Sequence, residues 1–391
     1  MKIGRRSFLW TSAGAGAALA GYQPRAASTS SGSRSRVPVI DITDLYHPPQ
    51  DPGDNVDLIA AYALPEVDLK AVLFDVTQRY RRPYVTADHL YEDPAGNRDP
   101  GFIPVAQLNA LFGRNVPCGC APFEPMRGPD DKMEDAPAFQ QAGVDLMLEV
   151  LEESAAPVDI VSFGSARPLA VAYNRAPRLL KDKVRRVHLC AGGQPAGYLE
   201  WNVMLDPDAF VRVLRSDLPV DIYPCATEKG PFDLGPHNTF WLLPDLEFIR
   251  HMPPGLQRYL AYAFERSNRV DFLNALEDDV PPDVLDRICA KPHNVWETAV
   301  WMQVAGRRLV RCDDRRWQIK PASEIEAGDE VLREEMQPCR LDVRDDGQFD
   351  AMADAASNKR VYFREKPGEY QQAMREALGE LYRRFELKSA T

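Results

Sequence analysis

Carboxylates crowd the end of the first apolar run in this chain: Val37-Pro38-Val39-Ile40-Asp41-Ile42-Thr43-Asp44, then Asp51-Pro52-Gly53-Asp54-Asn55-Val56-Asp57. Val37, Val39, Ile40 and Ile42 have the density of a buried strand. The acidic residues therefore gather at that strand's carboxyl end, where open α/β sheets place their sites. Carboxylates held in one crevice repel each other unless a proton or a cation relieves them. Oxygen ligands of this kind suit a hard divalent ion, Ca²⁺ or Mg²⁺. The alternative on this segment alone is a solvated acidic loop.

The elements that must position such a crevice recur along the chain. A helix is predicted over 56–64 and a strand over 68–76, followed by a polar, proline-containing loop from Gln78 to Asp99. Residues 140–153 are amphipathic, with Val144, Leu146, Met147, Val150 and Leu151 spaced for one helix face. Strands are predicted over 158–163, 184–190 and 220–223, with a helix starting at Asp206-Pro207, where Asp can cap and Pro suits the first turn. Residues 227–286 read as mostly helical, 296–304 as a further helix, 341–343 and 360–363 as late strands, and Pro367 opens a last amphipathic helix. Alternation of strand and crossover helix predicts an α/β fold: a mainly parallel open sheet with helices on both faces and an enlarged helical insertion.

Taken in order, these pieces resemble the inosine-uridine-preferring nucleoside hydrolase family. The family's DTDxGxDD motif is similar to Thr43-Asp44 followed, after an insertion, by Asp51-Pro52-Gly53-Asp54-Asn55. Its LVALGPLTN segment resembles Ile160 to Leu169, its VMGG resembles Cys190-Ala191-Gly192-Gly193, and its AEFN…DPEAA segment resembles Leu199-Glu200-Trp201-Asn202 through Asp206-Pro207-Asp208-Ala209. The resemblance runs from about Val37 to Phe385 and implies a metal-dependent hydrolase of the N-glycosidic bond in a small ribosyl substrate. It implies a Ca²⁺ held by Asp44, Asp54, Asn55, the Phe163 carbonyl and Glu297, with Asp54 as general base or second ligand. Two alignments of the Asp pair are open, Gly53-Asp54 and Asp54-Asn55, and the second is preferred because the first puts Asp57 on a buried face of the helix. Glu200 and Asn202 would bind sugar hydroxyls. His293 reads first as a surface or capping residue and second as an acid for the leaving group. The adjacent Asp pair of the family is broken here, and its Ala-Gly-Asn after the second strand is replaced by Asp75-Val76-Thr77. A catalytically altered or inactive relative that binds a ribosyl or polyol ligand in the same crevice is the rival reading. An unrelated serine hydrolase lacks its Gly-x-Ser-x-Gly elbow.

The ends and the composition bound the rest. Arg5-Arg6-Ser7-Phe8-Leu9, a Gly- and Ala-rich apolar run and Ala18-Leu19-Ala20 predict a twin-arginine signal over residues 1–27, and 28–36 a Ser-rich linker before a hydrolase-like domain over 37–391. This predicts export to the periplasm or beyond, without a stable membrane anchor. Without Lys2, Arg5 and Arg6 there remain 44 basic against 58 acidic side chains, a net charge near −14, which argues against a nucleic-acid polymer as partner. Self-association is open on this information. The 7 cysteines are an odd number, and Cys312 with Cys339 is a candidate pair.

Overall fold

The computed structural model describes residues 36–78, 98–312 and 316–388. The proposed leader and most of the linker lie outside these residues, as does most of the polar loop after Gln78. Nine strands form the main sheet: β1 (Val37–Thr43), β2 (Val67–Phe74), β3 (Cys118–Cys120), β4 (Val158–Ser162), β5 (Val184–Leu189), β6 (Val220–Ile222), β7 (Glu334–Val343), β8 (Phe349–Ala353) and β9 (Lys359–Arg364). Their spatial order is β8-β7-β9-β6-β5-β4-β1-β2-β3. Pairing is parallel from β3 across to β9, and β7 is antiparallel to both β9 and β8. The chain moves outward from β1 through β2 to β3, then returns to β4 on β1's other side. The order therefore reverses between β1 and β4, and an open parallel sheet leaves its ligand crevice at the carboxyl ends of such a pair.

Helices cover both faces. The crossovers comprise α1 (Gly53–Ala63), α2 (Phe102–Phe112), α3 (Ala142–Glu153), α4 (Arg167–Arg175) and α5 (Pro177–Lys183). They continue with α6 (Trp201–Leu205), α7 (Pro207–Arg215), α8 (Pro254–Phe264), α9 (Pro282–Cys289), α10 (Thr298–Ala305) and α11 (Pro367–Arg383). One apolar layer joins Val39, Leu69 and Val161 to Ile59, Tyr259, Val300 and Tyr382 of α1, α8, α10 and α11. The other joins Ile40, Ile42, Ile160 and Val187 to Met147, Leu169 and Phe210 of α3, α4 and α7. Because strand side chains alternate, β1 sends Val39, Asp41 and Thr43 toward the first layer and Ile40 and Ile42 toward the second. Asp41 thus sits where the core would take an apolar residue.

The Asp206-Pro207 start holds: the Asp206 side chain accepts from the Ala209 amide at 3.1 Å as N-cap of α7. Residues 227–286 are less helical than the composition suggests, holding α8, part of α9 and the three-residue strand Trp241–Leu243. That strand pairs with His293–Val295, a long-range contact that a local apolar pattern does not encode. All seven cysteines are free thiols, Cys312 and Cys339 among them. Among the described residues no helix is long and apolar enough to cross a membrane.

Candidate active site

Three elements deliver four carboxylates to the β1–β4 reversal. β1 ends next to Asp44, the first turn of α1 carries Asp54 and, one turn on, Asp57, and Glu297 precedes α10 at its N-cap position. Asp54 and Asp57 are three apart on one helix, so they share a face. Asp41, Thr43, Asp54, Asp57, Phe163 and Glu297 line a cavity of about 10 Å³, room for one atom the size of a water molecule. Asp41 and Asp57 are buried, whereas Asp44, Asp54 and Glu297 are half-buried at the rim.

The electrostatics follow from this crowding. Burial, then the charges of Asp75, Asp51 and Glu297, lift the Asp44 carboxyl well above its usual range. Burial, then Asp44, Asp51 and Glu297, do the same to Asp54. Asp57 is lifted by burial and by Glu297, to which it hydrogen-bonds, and the bond favours the proton on Asp57. Asp41 is pushed up to about 8 by burial alone, and its Oδ1 has no hydrogen-bond partner. An orphaned buried carboxyl oxygen costs free energy until a proton or cation meets it. The donors are all oxygen, the set a hard divalent ion takes. Their present arrangement is not a closed cage: among the described residues, no three His, Cys, Asp or Glu side chains are disposed to hold a metal ion. The chemistry of the donor set fits such an ion.

Glu200 and Asn202 flank this cluster as parts of a backbone clamp. Glu200 caps α6, accepting from the amides of Gly192 at 2.9 Å, Asn202 at 3.0 Å and Val203 at 3.4 Å. Burial outweighs these bonds and raises its carboxyl to about 7. Asn202 Nδ2 donates to the carbonyls of Phe163 at 3.0 Å and Cys190 at 2.9 Å, tying the ends of β4 and β5 together. The Phe163 carbonyl keeps one lone pair for another partner. Asn55 turns away from the cavity: its amide donates to the Tyr259 hydroxyl on α8 at 3.0 Å. Helical geometry separates it by about 100° from Asp54 on the same turn, so the adjacent-pair alignment brings only one of its two residues to the crevice.

Asp57 and Asp41 line the cavity but lie outside the predicted ligand set. The preferred alignment leaves Asp57 out of that set, although its spacing from Asp54 is the signal that finds it. Asp41 was readable as a charge interrupting an apolar strand. His293 stands at the rim, its Nε2 3.7 Å from Asp51 Oδ1, and packs so closely on Gly53 that a Cβ there would lie 2.2 Å from that nitrogen. Only glycine lets His293 sit on the start of α1.

Behind Asp44 a buried arginine holds the neighbouring strand ends. Arg167 donates to Asp75 Oδ1 at 2.9 Å, Asp206 Oδ2 at 3.3 Å, and the carbonyls of Pro122 at 2.7 Å and Val76 at 3.0 Å. Asp75 also accepts from the Ser165 amide at 2.6 Å, yet its burial outweighs the guanidinium and its carboxyl is raised. Thr77, which stands where the resemblance would put an asparagine, accepts from the same guanidinium at 3.1 Å through its Oγ1. A larger cavity of about 690 Å³ lies at the amino ends of β1 and β2, lined by Arg36, Leu64, Val67 and Arg114, remote from the carboxylate cluster.

Similarity to known proteins bears on this crevice. No protein-family model matches the chain. Over 195 residues it is 28% identical to the pyrimidine-specific ribonucleoside hydrolase RihA of Citrobacter koseri, and equally to that of Escherichia coli. Over this stretch the chain is similar to the nucleoside hydrolases. The match covers 44% of the chain and 56% of each hydrolase, so it spans little more than half the length of these relatives. Among solved structures, a purine-preferring ribonucleoside hydrolase from Gardnerella vaginalis is 15% identical, with a TM-score of 0.49 over 88% of this chain and 99% of its own. An inosine-uridine-preferring nucleoside hydrolase from Bacillus anthracis is 14% identical, with a TM-score of 0.45 over 87% and 97%.

Proposed function

We propose that the crevice hydrolyses the N-glycosidic bond of a nucleoside or related N-ribosyl compound with the help of a divalent cation, Ca²⁺ by the chemistry of its donors. The observation that carries this reading is the meeting of Asp41, Asp54, Asp57 and Glu297 around a one-atom cavity at the sheet's reversal point, with the Asp44 charge acting on Asp54 beside it. The likeness to pyrimidine-specific ribonucleoside hydrolases supports it. Asp41, Asp44, Asp57, Glu297 and the Phe163 carbonyl would hold the cation, and Asn55, turned toward Tyr259, would serve the packing of α1 instead. A cation in this place lowers the pKa of water and offsets the carboxylate repulsion.

Asp54, half-buried in the first turn of α1, takes the proton of the attacking water as its oxygen bonds the anomeric carbon and the C–N bond breaks. Surrounding carboxylates stabilise the positive charge that develops on the sugar. Asn202 presents its Oδ1 to a sugar hydroxyl while its Nδ2 is held by two carbonyls. Glu200, with both oxygens engaged by backbone amides, acts by fixing α6 and so Asn202. His293 at the rim is placed to donate to the leaving nitrogen. Ribose release from a nucleoside panel, with Ca²⁺ and with chelator, tests the reading in wild-type and Asp54→Asn protein. Loss of the base is expected to slow turnover about 10²–10⁴-fold; absence of turnover on every N-glycoside sinks the enzyme reading.

One observation favours a second reading. Of the Asp54-Asn55 pair that the resemblance sets against two adjacent aspartates, only Asp54 lines the crevice, while Asn55 bonds Tyr259 of α8. A relative that binds a ribosyl or polyol ligand without cleaving it would show ribose binding by calorimetry and no release from any nucleoside. We also propose export through the twin-arginine signal; Arg5→Lys with Arg6→Lys would leave the chain in the cytoplasmic fraction.

A further inference from the structure

Two buried thiols meet beneath the crevice. Cys190 follows β5 and Cys225 lies just past β6, where the parallel register of Leu189 with Ile222 resumes as Gly193 with Ala226. Backbone bonds fix this stretch: the Tyr223 amide donates to the Leu189 carbonyl at 2.8 Å, and the Cys225 amide to the Gly192 carbonyl at 2.9 Å. The two Sγ atoms are 3.5 Å apart, in side chains that are 1% and 5% exposed. A disulfide has its sulfurs about 2.05 Å apart, so side-chain rotation of roughly 1.5 Å separates this contact from a bond. Among the described residues no hydrogen bond joins any other two of the seven thiols.

Both residues also serve the site through their carbonyls. Cys190 accepts from Asn202 Nδ2 at 2.9 Å, and Cys225 accepts from the Trp296 indole at 2.9 Å, one residue before Glu297. A bond between the two sulfurs would join the segment that holds Asn202 to the segment that precedes Glu297.

We propose that Cys190 and Cys225 are a disulfide-forming pair, closed when the chain folds in the presence of a low-molecular-weight disulfide. Each thiol loses its hydrogen. The reagent's S–S bond breaks to give two thiols, and the protein's S–S bond forms. A mixed disulfide needs room for the reagent, and the folded strand ends leave none, so closure precedes burial and the folded pair is then shielded from exchange.

The full chain is synthesised in a cell-free system buffered with oxidised or with reduced glutathione, then denatured, alkylated and mapped by peptide mass. The expected result is a Cys190–Cys225 cross-link with five alkylated cysteines from the oxidising reaction, and seven alkylated cysteines from the reducing one. Soluble oxidised product in which both residues are alkylated overturns the proposal, as does a dominant cross-link elsewhere or soluble product from the reducing reaction alone. Folded reduced protein later exposed to oxidised glutathione stays unlinked; ready cross-linking there overturns closure before burial. As a second measurement, the cross-linked form melts several degrees above the reduced form, and Cys225→Ser abolishes the difference.

Discussion

Asp41→Asn isolates the cost of the carboxyl beneath the crevice. Asp41 is 1% exposed, its Oδ1 lacks a partner, and burial alone lifts its pKa from 3.8 to about 8. The unfolded chain releases this proton near the lower value, and the folded chain holds it to the higher one. Between the two the folded state binds more protons, so folding stability falls as pH rises, by about 1.4 kcal/mol per pH unit at the limit. At pH 7 that amounts to about 4 kcal/mol for the single group, an upper bound because relaxation and entering water reduce it. Asparagine has nearly the same shape and never ionises. Urea unfolding in chelator should therefore find Asp41→Asn close to wild type at pH 4 and more stable by up to about 4 kcal/mol at pH 7. If the substitution destabilises the protein equally at both pH values, Asp41 is not held protonated by burial, and the account of the cluster is wrong.

Calcium should act in the opposite sense, since it stabilises the ionised carboxylates. In wild type at pH 7, Ca²⁺ at 100 times its dissociation constant raises unfolding free energy by about 2.7 kcal/mol, read as a higher melting temperature; Asp57→Asn should remove most of the gain, and an equal rise in that variant contradicts Asp57 as a ligand. Arg167→Met leaves Asp75 and Asp206 as buried carboxylates without their cation, with an expected cost of about 3–5 kcal/mol in denaturant unfolding at pH 7. A loss below about 1 kcal/mol would show that their backbone donors suffice.

Much of the fold could be read locally. The apolar runs behind β1, β4 and β5, the Asp206 cap and the amphipathic pattern of α11 are each set by residues close in the chain, and the structure forms them within a residue or two of the expected bounds. Other elements were not legible because their partners are distant: Trp241–Leu243 exists by pairing with His293–Val295, and Arg307–Arg311 by pairing with Trp317–Pro321. The site divides in the same way. Asp44, Asp54 and Glu297 announced themselves by type and order, whereas His293 was discounted because only the packing of its strand on Gly53 brings it to the rim.

The sequence by itself determined that carboxylates end a buried strand, that helices alternate with parallel strands, and that the ordered motifs resemble those of the nucleoside hydrolases. Tertiary structure alone decided which carboxylates share a cavity. Residues on one helix diverge by about 100° per position, so Asp54 and Asp57 face β1 and Glu297 while Asn55, between them, faces Tyr259. It also decided the charge state of the crevice. A carboxyl group's proton affinity depends on burial and on neighbours brought in from distant elements, and Asp41 acquires its pKa of about 8 only when α1 and α10 close over β1.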